Sequence, residues 1–183
     1  GWPGMGPDEF AGGNPVDDTL DLSEIQAGIS SGLSRVAVER LDLVGFDACL
    51  MATYEVAAAI TGLADYMLAS EELEPGHGWD YSSLAVLSGS RDITAIDLGS
   101  AITDGFQSQA QDWDTEESIT LSVLDLTVFP EFQLAIGDLL SPLVSDLAPA
   151  APSVSRALNG ASRFASSPNP VQDAHIVDLG NFV

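Results

Sequence analysis

Lysine is absent from this sequence of 183 residues: its five basic residues are all arginines, set against 28 aspartates and glutamates, for a formal charge of −23. So few cations exclude a nucleic-acid partner, because phosphate recognition needs clustered Lys and Arg. The same deficit disfavours an anionic membrane surface. The acids are spread along the chain and form no solvating tail. Such a surface repels itself unless salt screens it, so a salt-adapted organism is expected. Two readings stand for the acidity: long-range steering of cationic substrates, or salt adaptation with no bearing on the substrate. Cysteine is almost as scarce, and a single Cys49 excludes an internal disulfide. The two histidines, His77 and His175, do not stand at metal-ligand spacing from each other or from Cys49, so a zinc site is not supported. No apolar run approaches the roughly eighteen to twenty residues of a bilayer-spanning helix. The chain opens at Gly1 with no charged-then-apolar leader pattern, so it reads as an excised or processed piece. What it does have is 45% hydrophobic residues, enough for one globular domain over residues 1–183.

Residues 1–19 carry Pro and Gly at loop spacing. Leu22, Ile25, Ile29, Leu33 and Val36 then recur at helical spacing behind a cap at Asp21 or Ser23. Leu41–Phe46 is a short apolar run that reads as a buried strand. Leu50–Thr61, rich in alanine and methionine, reads as a helix, and Asp65–Ser70 as a second strand. Helices are expected over 81–88, 95–109, 130–147 and 152–164, and strands over 118–124 and 174–178. Short apolar strands alternating with helices predict an α/β domain with a mostly parallel sheet. Ligands in such sheets bind beyond the carboxyl ends of the strands. That rule brings two segments forward: Asp47-Ala48-Cys49 and Ser70-Glu71-Glu72.

Cys49 stands between a strand end and the expected helix start, where free N–H groups and the helix dipole favour a thiolate and can hold an oxyanion. Asp47, two residues earlier, is expected on the same side by strand alternation. It is either an N-cap of the following helix or the floor of a pocket for a cation, with a guanidinium as a good match. Burial of Cys49 as a small hydrophobe remains the alternative.

The stretch Leu43-Val44-Gly45-Phe46-Asp47-Ala48-Cys49-Leu50-Met51-Ala52-Thr53-Tyr54-Glu55-Val56-Ala57 resembles the nucleophile block of the clostripain family. Ala64 to Tyr81, with Ser70-Glu71-Glu72-Leu73-Glu74-Pro75-Gly76-His77-Gly78-Trp79, is similar to that family's next block. Gly1-Trp2 resembles the tail of its histidine–glycine motif, and His175 to Phe182 a segment nearer its C-terminal part. The resemblance implies a caspase-like three-layer α/β sandwich, a mostly parallel central sheet with helices on both faces, incomplete here at the N-terminus and truncated at the C-terminus. It implies a cysteine endopeptidase that cleaves after basic residues, preferably Arg, through a Cys–His pair, acting outside the cell. Cys49 is then the nucleophile and Asp47 the residue that binds the basic side chain. The general-base histidine is expected roughly fifty residues before the cysteine, upstream of Gly1. The piece alone is therefore expected to be inactive. The missing histidine also motivates a second reading, a non-catalytic module that binds basic peptides through Asp47.

His77 follows the cysteine instead of preceding it and reads as an exposed loop residue. His175 reads as structural. One of Glu71, Glu72 and Glu74 could widen the acidic pocket; Glu72 is the candidate. These carboxylates with Asp80 could also bind calcium, which some members of the family use, although their spacing does not match an EF-hand loop. No cofactor is required for the chemistry. An unrelated α/β hydrolase would need a Gly-x-Ser-x-Gly elbow, and Gly89-Ser90 lacks that context.

Overall fold

A computed structural model describes residues 20–89, 92–169 and 173–182. The expectations for residues 1–19, including the Gly1-Trp2 resemblance, and for Ser90 lie outside the described residues. Helix α1 (Leu22–Val36) opens with a capping box: Asp21 accepts from the Glu24 N–H while the Glu24 side chain accepts from the Asp21 N–H. Strand β1 (Leu41–Gly45) follows, then α2 (Tyr54–Ile60), β2 (Ala64–Ala69), a 3-10 turn (Tyr81–Ala85) and α3 (Val86–Gly89). The long α4 (Ala95–Asp112) is followed by β3 (Ser122–Asp125), α5 (Phe129–Ser145), α6 (Leu147–Gly160), β4 (Arg163–Phe164), β5 (Ile176–Val177) and α7 (Leu179–Phe182).

The main sheet has the order β1-β2-β3. β1 and β2 run parallel, with Val44 opposite Met67, and β2 and β3 run antiparallel, with Leu68 opposite Val123. Among the described residues, one pairing of this sheet is parallel and the other antiparallel. Adjacent residues of β2 bury on opposite faces, as strand alternation requires. Met67 and Ala69 pack with Val56, Ala57 and Ile60 of α2 and Phe129 of α5, with Leu22, Ile25 and Ile29 of α1 against them. Leu68 packs with Ile102 and Phe106 of α4 and with Trp79. Helices thus cover both faces of a mixed α/β sheet, in a caspase-like arrangement. No helix among the described residues is long and apolar enough to cross a membrane.

Four local expectations fail, among them the helix expected over 152–164, which spans Leu147–Gly160 and gives way to β4 at Arg163–Phe164. The helix expected from Leu50 begins only at Tyr54, with Thr53 as its cap. Residues 116–118 form a 3-10 turn and the strand expected from 118 starts at Ser122. The strand expected over 174–178 is the pair Ile176–Val177, preceded by His175 in a left-handed conformation with φ 56°.

Candidate active site

The segment after β1 does not continue into a helix because it is stitched to the segment after β2. The Phe46 N–H donates to Leu68 O at 2.9 Å, Leu50 N–H to Glu72 O at 3.1 Å and Ala52 N–H to Ser70 O at 2.9 Å. These long-range bonds outweigh the helical propensity of the Ala- and Met-rich run. Leu50 adopts φ 60°, a left-handed backbone that non-glycine residues rarely hold without compensation. Cys49 therefore lies in a tight turn, and the helix-dipole argument for its reactivity falls away. Its surroundings are nevertheless polar. The half-buried Cys49 Sγ accepts the Glu74 N–H at 3.3 Å and lies 3.8 Å from Glu74 O. The sulfur is held by main chain and is not sealed in hydrocarbon.

The loop after β2 is itself fixed. Buried Ser70 accepts the Glu72 N–H at 3.0 Å and donates to Glu72 O at 2.9 Å. Thr120 Oγ1 accepts from the Glu71 N–H at 3.0 Å and the Glu72 N–H at 3.1 Å. Gly78 takes φ +65°, and a Cβ there would lie 3.0 Å from Asp47 Oδ2, so only glycine lets the loop close onto that carboxylate. Trp79 packs its ring on Gly45, where a Cβ would meet the indole at 3.0 Å.

Asp47 is exposed and lies beyond the end of β1, so strand alternation does not govern its direction. It is not a helix cap. Its Oδ2 accepts from the Tyr81 hydroxyl at 2.9 Å and from the Trp79 N–H at 3.3 Å. The carboxylate that meets it is Glu74. Glu74 Oε1 accepts from the Trp79 indole N–H at 3.1 Å, and Oε2 is buried without a hydrogen-bond partner among the described residues. Burial pushes the Glu74 carboxyl up to about 7, with the neighbouring Asp47 charge adding and the Trp79 indole opposing. Burial and the Asp47 carboxylate also push the Tyr81 hydroxyl upward. The candidate Glu72 points elsewhere: its carboxylate accepts from the Ala165 N–H at 2.8 and 3.1 Å and from the Leu73 N–H at 2.8 Å. It ties the loop to the segment after β4.

His77 is not an exposed loop residue. It is half-buried, with Nε2 3.0 Å from Thr115 Oγ1 and Nδ1 2.9 Å from Gln109 Nε2, and its ring lies 5.9 Å from those of Phe106 and Trp113. Those contacts turn it onto α4. His175 lies 3.1 Å from Asp173 with two thirds of its side chain exposed, 67%. It borders a cavity of about 440 Å³, lined also by Tyr54, Glu71, Phe132 and Asp178, that does not include Cys49. Burial and Asp178 raise the Glu71 carboxyl there. Among the described residues no group of three or more His, Cys, Asp or Glu is placed to hold a metal ion. Glu74, Trp79 and Tyr81 are the contributors that sequence reasoning left undistinguished; Glu74 appeared there only as one of three glutamates.

The sequence profile of the clostripain family matches residues 5–182. No curated protein matches the chain. Among solved structures, the chain is similar to a B. fragilis cysteine protease at 21% identity and a TM-score of 0.53, over 93% of this chain and 66% of that one. It is also similar to a clostripain from Bacteroides thetaiotaomicron in complex with a peptide inhibitor, at 24% identity and a TM-score of 0.49, over 63% of this chain and 47% of that one. An inactive zymogen C11 protease from Parabacteroides distasonis matches at 28% identity and a TM-score of 0.41, over 56% of this chain and 28% of that one. The chain therefore spans less than two thirds of the length of each of these structures.

Proposed function

Because this chain belongs to the clostripain family and has its cysteine-protease fold, we propose that it is the nucleophile-bearing part of an endopeptidase that cleaves after basic residues, preferably Arg. The observation that carries the reading is the pairing of a main-chain-held thiol, Cys49, with a carboxylate two residues away that has no cationic partner among the described residues. The Cys49 sulfur attacks the main-chain carbonyl carbon of the basic residue itself. Its proton passes to a histidine and then to the departing amine, leaving a thioester. Water hydrolyses the thioester, which returns the thiol and releases the acid. The Leu50 N–H is committed to Glu72 O, so the oxyanion is held by other donors near Cys49. His77 is engaged with Gln109 and Thr115 on α4. The general base in this reading is a histidine N-terminal to residue 1. Asp47, oriented by Tyr81 and Trp79, receives the cationic side chain. The same reading, from the family resemblance, places the protein outside the cell, and the charge of −23 supports a salty working medium.

The test uses the full-length protein and a peptide amide that releases a reporter after Arg. Cleavage is expected, and Cys49→Ala should abolish it. Undiminished cleavage by the Cys49→Ala protein would remove the assignment. Loss of cleavage with retained binding of Arg peptides in the native protein would favour the binding-module reading instead.

A further inference from the structure

Trp79 links two carboxyls beside the nucleophile: its main-chain N–H donates to Asp47 and its indole N–H to Glu74. Asp47 is held from outside by the Tyr81 hydroxyl and the Trp79 N–H. Glu74 is held from inside: its main chain grips Cys49 Sγ and its Oε1 takes the Trp79 indole N–H. Its other oxygen, Oε2, is buried and has no hydrogen-bond partner among the described residues. A buried carboxylate oxygen without a donor carries a desolvation cost. A proton on the carboxyl lowers that cost, because the neutral acid is penalised less by burial and no longer repels the Asp47 carboxylate. The titratable groups facing Glu74 are Asp47 from the β1 exit, Tyr81 from the 3-10 turn, and Cys49 at its main chain.

We propose that Asp47 and Glu74 act as one coupled pair holding a single proton: Glu74 keeps that proton beside the charged Asp47, and an arriving guanidinium expels it so that the pocket meets the substrate with both charges. This rests on the reading of Asp47 as the residue that receives the basic side chain. Glu74 is a positioning residue here, acting through Asp47. The consequence is a substrate pocket whose affinity for cations rises with pH. The free pair holds its proton up to about pH 7. If the bound cation returns Glu74 towards its ordinary value of 4.5, binding at pH 6 releases about 0.9 proton and at pH 8 about 0.1. Affinity then falls about tenfold from pH 8 to pH 6.

The experiment is isothermal titration of the full-length Cys49→Ala protein, which cannot turn over, with a short peptide ending in Arg amide. It is run at pH 6, 7 and 8 in two buffers of different ionisation enthalpy. The expected result is near-stoichiometric proton release at pH 6, little at pH 8, and the tenfold weakening between them. Adding Glu74→Gln keeps an acceptor for the indole but cannot ionise. It should abolish proton release, flatten the pH dependence, and weaken binding at pH 8 at least tenfold. Glu74→Asp should restore part of the pH dependence. A native pair that binds Arg peptide with no proton release overturns the proposal, and so does a Glu74→Gln protein with the same affinity and slope as its parent. If Gln cannot fold, the proton count on native Glu74 decides alone. Asp47→Asn separates the two levels: Arg binding that survives it, or no Arg binding in the parent, sinks the substrate reading itself, whereas loss on Asp47→Asn with indifference to Glu74→Gln sinks only the pair.

Discussion

Replacing Glu74 with Gln should make the folded protein more stable at alkaline pH and leave it unchanged at acid pH. Glu74 is raised in the native state to about 7, from an ordinary 4.5. The native protein therefore holds this proton more firmly than the unfolded chain. The stabilisation linked to it is complete below about pH 4.5, erodes as pH rises from there to 7, and is gone above about pH 8. At face value the shift corresponds to about 3 kcal/mol. The carboxyl is only half-buried, and solvent screening brings this to about 1–2 kcal/mol. Gln keeps the neutral state, with an oxygen for the Trp79 indole, at every pH. The assay is urea unfolding of parent and Glu74→Gln proteins side by side at pH 5, 6, 7 and 8, both carrying Cys49→Ala to prevent self-cleavage. Taking the difference at each pH cancels the general effect of the charge of −23, which both share to within one unit. The difference should be near zero at pH 5 and grow to about 1–2 kcal/mol in favour of Gln at pH 8. That is roughly 2–8 °C in Tm for a domain of this size. A flat difference, or one that favours Glu at pH 8, would refute the claim that Glu74 sits beside Asp47 in a poorly solvated place.

Two further outcomes follow from the loops. Glu72→Ala removes the carboxylate that holds the Ala165 and Leu73 N–H groups; it should cost about 1–3 kcal/mol in urea unfolding, while the ratio of Arg to Lys cleavage in the full-length protein stays as in the parent. Gly78→Ala adds a Cβ at 3.0 Å from Asp47 Oδ2 and strains a φ of +65°, so it should cost about 1–2 kcal/mol in stability and raise KM for Arg reporters more than it lowers kcat.

Much of the frame was legible along the chain. The capping signature at Asp21 and the helical spacing of Leu22, Ile25 and Ile29 predict α1, and the apolar run from Leu41 predicts β1 within a residue. Both are local patterns with one way to bury. The helix start was not legible. Leu50 to Thr53 has helix-forming composition, yet its N–H groups are claimed by Glu72 O and Ser70 O some twenty residues on. Likewise the composition marks His77 as a loop residue, while its burial comes from Phe106, Gln109, Trp113 and Thr115, all on or just after α4.

Charge, the single thiol and the strand that leads to Cys49 are properties of the covalent chain, and the chain by itself determined them: an acidic excess, one sulfhydryl with no partner for an internal disulfide, a cysteine with an aspartate two residues before it. Which carboxylate joins Asp47 was decided only in three dimensions. Glu71, Glu72 and Glu74 are alike on paper. The turn at Gly78 and the indole of Trp79 bring Glu74 to Asp47, while Ala165 captures Glu72 and Asp178 approaches Glu71. The selection is made by partners contributed from distant segments, because hydrogen bonding and burial depend on distances that only the folded backbone sets.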